Sequence, residues 1–503
     1  MSRPLPAVLA AAPPTPAPAP PARVAPARAA HRFAIPTLLA YLVVAGVGTL
    51  YHEPWRDEAQ QWLIARDLNL FGIFRQMGYE GTPALTHLLV APLARLGLPY
   101  AAQNALVLLL AAAAVGVFLY AAPFPRLTRV LFAFSFWMTY EYAVKARVYT
   151  LGILLLFLVA TAYPRRFRRP LLYAVLVALL ANTTLHFLAM SLGLGLAYLV
   201  ECARSRRFDR AAVNALGVMV AGGAIAALQI VPPADEMYHA QGFTWEPRNV
   251  LEAIHWMFAA DPTAAGPVWP FLTAFACLAL AAVLLALRER PLVFLAVGTA
   301  LALNVALWTF RLMIPPRHPG IAFMILVTGL WLAAGETPTR RWTWGVRALT
   351  ASLALATAFG ALLLRLEVRT PFSGSVDMGR YIARCVPESA PLAAYDAARV
   401  ESVLPYLPAR VVWRAGEGRW GTFTTWDVTY LRSRGVSSAE AMEDIRARFV
   451  AGPRPYILAP QPLPAAATAG WRLAHASLAL MRSEAVFLYA PGTAPAGRSA
   501  GCM

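Results

Sequence analysis

Ionisable side chains in this chain collect where apolar runs end. The densest group, Tyr51-His52-Glu53-Pro54-Trp55-Arg56-Asp57-Glu58-Ala59-Gln60-Gln61-Trp62, follows directly on the apolar run 33–50. A carboxylate at such a boundary can take the proton of a hydroxyl as that hydroxyl attacks a sugar, and Asp57 and Glu58 are the candidates. An interfacial helix with tryptophans at headgroup level and charges in solvent fits the same residues. A second group, Gly78 to His87, places Glu80 and His87 around a Gly-Thr-Pro turn; a histidine inside an apolar run serves packing as readily as chemistry. In the third, Glu141 to Tyr149, Lys145 and Arg147 can clamp a phosphate leaving group, or snorkel to lipid headgroups. The fourth, Phe310 to Gly320, contains Arg311, Arg317 and His318, which can complete the same anion site or bind anionic lipid. His186, in Asn182-Thr183-Thr184-Leu185-His186-Phe187, reads most simply as part of a structural turn. The stretch from Asp235 to Asp261 is rich enough to bind an acceptor, but no spacing singles out a role there.

The elements that must position these groups are membrane helices. The chain has 503 residues, 59% hydrophobic and 14% charged, with a mean hydropathy of +0.54; soluble proteins carry about a quarter charged residues. A net charge of +18 in a soluble protein would point to nucleic acid, but here the arginines sit in clusters between apolar runs, so the charge reads as topology and no nucleic-acid partner is implied. Cys202, Cys277, Cys385 and Cys502 show no metal-ligand spacing, although Cys385 and Cys502 both fall in the C-terminal region and can pair if it is extracytoplasmic.

Residues 1–32, dominated by Ala, Pro and Arg, cannot build a core and read as a disordered cytoplasmic tail. Apolar segments follow at 33–50, 101–121, 127–141, 148–163, 171–184, 186–202, 211–231, 267–287, 291–310, 320–335 and 345–364, several near the ~20 residues a span needs. With the ambiguous 84–98 they predict roughly eleven to thirteen transmembrane helices over 33–366. Arginine clusters at 165–169, 204–210, 288–290 and 340–347 belong on the cytoplasmic side, which puts 232–266, 311–319, Lys145 to Arg147 and the C-terminus outside. Placing the loop 51–82 outside as well requires that 84–98 be re-entrant or that a neighbouring segment not cross fully, and the parity there stays open. From 367 to 503 the composition changes to Gly, Pro, charges and short alternating stretches at 392–395, 410–413, 455–458 and 485–489, with a helical signal over 437–449. This predicts a small extracytoplasmic α/β domain.

The order of these features resembles the GT-C glycosyltransferases, more closely the family 39, protein mannosyltransferase or aminoarabinose transferase type, over roughly residues 33–335. Four positions carry the resemblance: Asp57-Glu58 after the first span, Gly81-Thr82-Pro83-Ala84-Leu85, Ala146-Arg147-Val148-Tyr149, and Arg317-His318 before a later span. It implies a GT-C-like fold, a polyprenyl-phosphate-linked sugar donor, a glycan, lipid or protein acceptor among the envelope components, and a multi-pass location in a bacterial inner membrane with the site outside. Asp57 is then the general base and Glu58 a supporting carboxylate. Lys145, Arg147, Tyr149, Arg311, Arg317 and His318 bind the donor phosphate, and Glu80, His87, His186 and Trp55 are the candidates for sugar or acceptor contact. No cofactor is implied, and a divalent metal stays open. Two departures bear on the sugar and the acceptor: Glu80 and Thr82 stand where relatives often carry a histidine nearby, and the Ala-Arg-x-Tyr turn lacks the aspartate some members place beside it. A transporter or flippase of a lipid-linked substrate is the competing class, but its usual matching halves are missing here and the charged groups gather at one face rather than at midplane.

Overall fold

In the computed structural model, residues 32–259, 267–310 and 316–492 are described. The first helix, α1 (Ala34–Tyr51), is followed by three short ones, α2 (Arg56–Asp67), α3 (Leu70–Glu80) and α4 (Leu85–Arg95), and then by α5 (Ala101–Ala121). Helix α6 (Arg126–Phe134) runs into a π-helical segment, Trp137–Val144, which ends at the Lys145 to Arg147 turn. The chain continues through α7 (Tyr149–Ala162), α8 (Pro170–Ala181), α9 (Leu185–Ser205) and α10 (Arg210–Gln229). Two short helices, α11 (Met237–Gln241) and α12 (Arg248–Ala259), precede α13 (Trp269–Leu287), α14 (Pro291–Phe310), α15 (Arg317–Ala333) and α16 (Arg340–Arg369).

Among the described residues seven helices are long and apolar enough to cross a membrane; with three shorter apolar helices and the broken span 126–144 they make eleven passes. The ambiguous segment 84–98 is not one of them. Helix α4 has 11 residues and an internal Pro92, a length of about 16 Å against a hydrocarbon core of about 30 Å. Helices α2 to α4 therefore lie together at one end of the bundle, which brings the loop after α1 and the Lys145 to Arg147 turn to the same end and resolves the parity. The arginine clusters between α7 and α8, α9 and α10, α13 and α14, and at the start of α16 lie at the other end.

Helix α16 has 30 residues, about 45 Å, and so carries the chain out of the bundle to the C-terminal domain. That domain is a six-stranded sheet in the order β3-β2-β1-β4-β6-β5, with β1 (Leu392–Ala394), β2 (Val412–Arg414), β3 (Arg419–Gly421), β4 (Tyr456–Ala459), β5 (Trp471–Ser477) and β6 (Val486–Pro491). Strand β1 runs parallel to β2 and β4, and the remaining pairings are antiparallel. The predicted helix is present at Ser438–Arg448 behind a Ser437/Glu440 capping box. Its core is shared with the membrane-proximal layer, because Ala59 and Leu63 of α2 pack among Met378, Ile382, Leu392 and Leu458. The opposite face of α2, through Trp62, Ile64 and Ala65, packs on α3 and α4. Cys385 is disulfide-bonded and Cys202 and Cys277 are free thiols, while Cys502 lies outside the described residues.

Candidate functional site

Four separated stretches meet at the sheet-bearing end of the bundle because each is stopped there by its own local chemistry. Pro54 and the extended Trp55 end the approach from α1 and start α2, where Glu58 accepts the backbone N–H of Trp55 at 3.2 Å and so places Asp57 in the first turn. Gly81, at φ 61°, turns α3 sharply into Pro83, a conformation that favours glycine. The π-helical segment gives way to extended backbone at Lys145, which throws Arg147 back toward α2. Helix α15 begins at Arg317, whose carbonyl accepts the Tyr142 hydroxyl at 2.7 Å. Three residues on, a Cβ at Gly320 would lie 2.3 Å from Tyr142 Oη and 2.5 Å from the Trp137 ring, so only glycine lets α15 approach this closely.

Asp57 is the convergence point. Arg317 Nη2 lies 2.9 Å from its carboxylate, Arg147 Nη1 3.4 Å and Arg56 Nε 3.9 Å, and Arg147 also donates to the Asp57 main-chain oxygen. Burial alone would raise the Asp57 carboxyl, but Arg147, Arg317, Arg56 and Lys145 outweigh it and hold it below the usual carboxylate range. Burial would discharge Arg147 too, and there Asp57 prevails and holds the guanidinium charged. The Asp57 side chain keeps 16% of its surface exposed, and it opens onto a cleft of about 350 Å³.

Of the residues expected at the site, Asp57, Glu80, His87, Arg147, Tyr149, His186 and His318 line this cleft. Glu80 accepts Nε2 of Gln60 at 2.8 Å and of Gln76 at 3.0 Å, and burial pushes its carboxyl above the usual range. Burial, with Arg147 adding to it, pushes His87 down to about 3, so its imidazole is neutral. His186 Nδ1 lies 2.5 Å from Asn304 Oδ1, its ring is 4.7 Å from that of His318, and His318 Nε2 in turn is 3.3 Å from the Tyr149 hydroxyl.

Four expected residues, Glu58, Lys145, Trp55 and Arg317, stand apart from the cleft lining, Arg317 reaching the site through its ion pair with Asp57. Glu58 is fully buried; it accepts His52 Nε2 at 2.8 Å and the Ala146 N–H at 2.5 Å, so it braces the Arg147 turn against α2 and does not face the cleft. His52 is held on its other side by Glu367 at 2.5 Å, and Glu367 also accepts the Tyr140 hydroxyl. Lys145 is tied to Glu141 at 2.9 Å and stands 5.7 Å from the Trp55 ring, while Arg317 lies 5.4 Å from the same ring. Trp55 thus backs the two cations and does not line the cleft. Arg311 lies outside the described residues. Among the described residues, no three His, Cys, Asp or Glu side chains are grouped to hold a metal ion.

Sequence reasoning assigned no individual role to the cleft residues Gln60, Gln61, Tyr79, Glu236 and Tyr238, although the stretch that holds the last two reads as rich enough to bind an acceptor. Gln60 and Gln61 had a readable signal: they lie three and four positions after Asp57, on the same side of a helix. For Glu236 and Tyr238 the composition of their stretch was the signal and no spacing fixed their place, because the loop after α10 is placed by the C-terminal domain. There Met237 N–H donates to the Trp426 carbonyl at 2.9 Å and Val428 N–H to that of Asp235 at 2.8 Å. Gln60 clasps the same domain, donating to Thr424 O at 2.6 Å and accepting Thr424 N–H at 2.9 Å. The loop forms one side of the cleft and the sheet domain holds it there from behind.

No family model and no curated protein sequence matches this chain. Among solved structures it is similar to ArnT from Cupriavidus metallidurans, crystallised in the apo state, at a TM-score of 0.53 and 12% sequence identity, covering 92% of this chain and 99% of that one. The match takes in the membrane bundle and the sheet domain alike, and at this identity it speaks to the fold. The protein is therefore a polytopic helical membrane protein with a GT-C-like fold and a C-terminal α/β domain.

Proposed function

We propose that this protein is a membrane glycosyltransferase that moves a sugar from a polyprenyl-phosphate donor to an envelope acceptor, with inversion at the anomeric carbon. The reaction takes place at the outer face of a bacterial inner membrane. The observation that carries this reading is the Asp57 carboxylate, held between Arg147 and Arg317 at the wall of a cleft next to the membrane-spanning bundle. The arginine clusters at the opposite end support an outward-facing site, since cytoplasmic loops carry the excess of Arg.

In the transfer, the acceptor oxygen bonds to the anomeric carbon as the bond from that carbon to the phosphate oxygen breaks. The electron pair leaves with the polyprenyl phosphate, which gains one negative charge, and the acceptor proton passes to Asp57. Arg147 and Arg317 neutralise the charge that develops on the phosphate, where fixed donors contribute most. While both arginines are committed to Asp57, the carboxylate is a weak base. A donor phosphate that draws them to itself raises the basicity of Asp57, so seating the donor readies the base. Glu58 and His52 act as positioning residues by holding the Ala146 to Arg147 turn against α2.

Mass spectrometry of cell-envelope glycans tests the proposal. A deletion strain should lack one sugar modification, which the wild-type gene restores and Asp57→Asn, expressed and inserted equally, does not. Unchanged glycan in the deletion strain, or full restoration by Asp57→Asn, contradicts the reading.

A further inference from the structure

We propose that the cleft selects an uncharged, hydroxylated sugar, read by Gln61 and His87, over an amino sugar or a sugar acid; this rests on the glycosyltransferase reading of the same site. Gln61 lies four residues beyond Asp57 on α2, on the same face and about 6 Å further along the axis. It is 2% exposed and lines the cleft, yet neither its amide nitrogen nor its amide oxygen has a hydrogen-bond partner. His87, from the first turn of α4, is also 2% exposed and lines the cleft, and its Nδ1 has no partner. Unpaired buried polar atoms are costly and rare in folded proteins. Two such side chains facing one cleft are explained by a ligand that pairs with them.

The chemistry of the unspent groups specifies that ligand. An amide offers donors and an acceptor, and a neutral imidazole nitrogen offers one or the other, which together match sugar hydroxyls that both donate and accept. The charged groups of the cleft are already engaged. Asp57 is paired with Arg147 and Arg317 until the donor seats and is then taken up by the acceptor proton, Glu80 is held by Gln60 and Gln76, and Glu236 by the N–H groups of Tyr238 and His239 at 3.0 and 2.7 Å. An ammonium would find no uncommitted carboxylate, and a sugar carboxylate would lie against Asp57 and Glu80.

The test compares matched donors on the purified full-length protein in detergent, with deletion-strain membranes supplying the acceptor and release of polyprenyl phosphate as the readout. The donors are polyprenyl-phosphate arabinose, its 4-amino-4-deoxy analogue, and the glucose and glucuronic acid pair. We expect each neutral donor to be used at least ~10-fold faster than its charged counterpart, and Gln61→Leu to lower kcat/KM for the neutral donors about 10- to 100-fold. Gln61→Glu should move the preference toward the amino sugar. Faster use of the amino sugar or uronic acid by the wild type overturns the proposal while leaving glycosyl transfer standing. Undiminished use of neutral donors by a folded Gln61→Leu does the same, and the wild-type comparison needs no variant to fold. Release from none of the four donors counts against the glycosyltransferase reading itself.

Discussion

Arg147 offers the most quantitative test of the site because it makes two separable contributions. Its Nη1 donates to the Asp57 main-chain oxygen and lies 3.4 Å from the Asp57 carboxylate, and the guanidinium also borders the cleft where a donor phosphate would sit. Arg147→Lys keeps the charge but replaces a planar fork with a point charge, so one charge-assisted hydrogen bond is lost, about 1.5–3 kcal/mol. That corresponds to a fall of roughly 10- to 150-fold in kcat/KM. Arg147→Gln removes the charge as well, and loss of a donor to a developing oxyanion costs about 10²- to 10³-fold. The two variants, purified and assayed for release of polyprenyl phosphate, should therefore rank wild type, Lys, Gln. Removing the cation also frees the Asp57 carboxyl to titrate at higher pH, so the acid limb of kcat/KM should move upward in Arg147→Gln. A Lys variant as active as wild type refutes the fork, and a Gln variant no worse than the Lys variant refutes the electrostatic role.

Two further predictions concern the supports of the site. Burial works to discharge His52, but Glu58 and Glu367 outweigh it and push its pKa up to about 10 from an ordinary 6.5. The stability this provides is complete below the ordinary value and is lost as pH rises through the folded one, so the melting temperature in detergent should decline between pH 6.5 and 10, a decline that His52→Gln should remove. A flat wild-type profile over that window would contradict the bracket. Gly320→Ala should destabilise by about 1–3 kcal/mol and raise KM for the donor by moving Arg317 away from Asp57, whereas Gly298→Ala, which meets open space, should do neither; equal melting of the two variants would show that the close packing on Tyr142 does not matter.

The spans and the order of the four charged groups were legible because both are properties of local sequence: hydropathy over a bilayer's thickness, and motifs at the ends of apolar runs. Segment 84–98 was ambiguous because its Leu and Ala content suits lipid or an interfacial layer equally, and the short helix ending near Arg95 settles it. The pair Asp57-Glu58 suggested two carboxylates in one site, but neighbours on a helix point about 100° apart, and Glu58 faces His52 and Ala146 instead. The spacing of Gln61 from Asp57 was legible, but its role was not, because an uncharged amide shows a task only through its burial and lack of partners. In the C-terminal domain the apolar strands β1, β2, β4 and β6 were anticipated. Strand β3 is Arg-Trp-Gly, without an apolar run, and β5 alternates weakly through Arg472 and His475, so neither gave an apolar pattern to read.

The central claim is that Asp57 accepts the acceptor proton while two arginines hold the departing phosphate. It is tested most directly by measuring release of polyprenyl phosphate from a polyprenyl-phosphate sugar by purified wild type and Asp57→Asn, with deletion-strain membranes as the source of acceptor. Loss of a general base predicts a rate about 10²- to 10⁴-fold lower for a variant that remains folded. Equal rates for the two proteins would contradict the account.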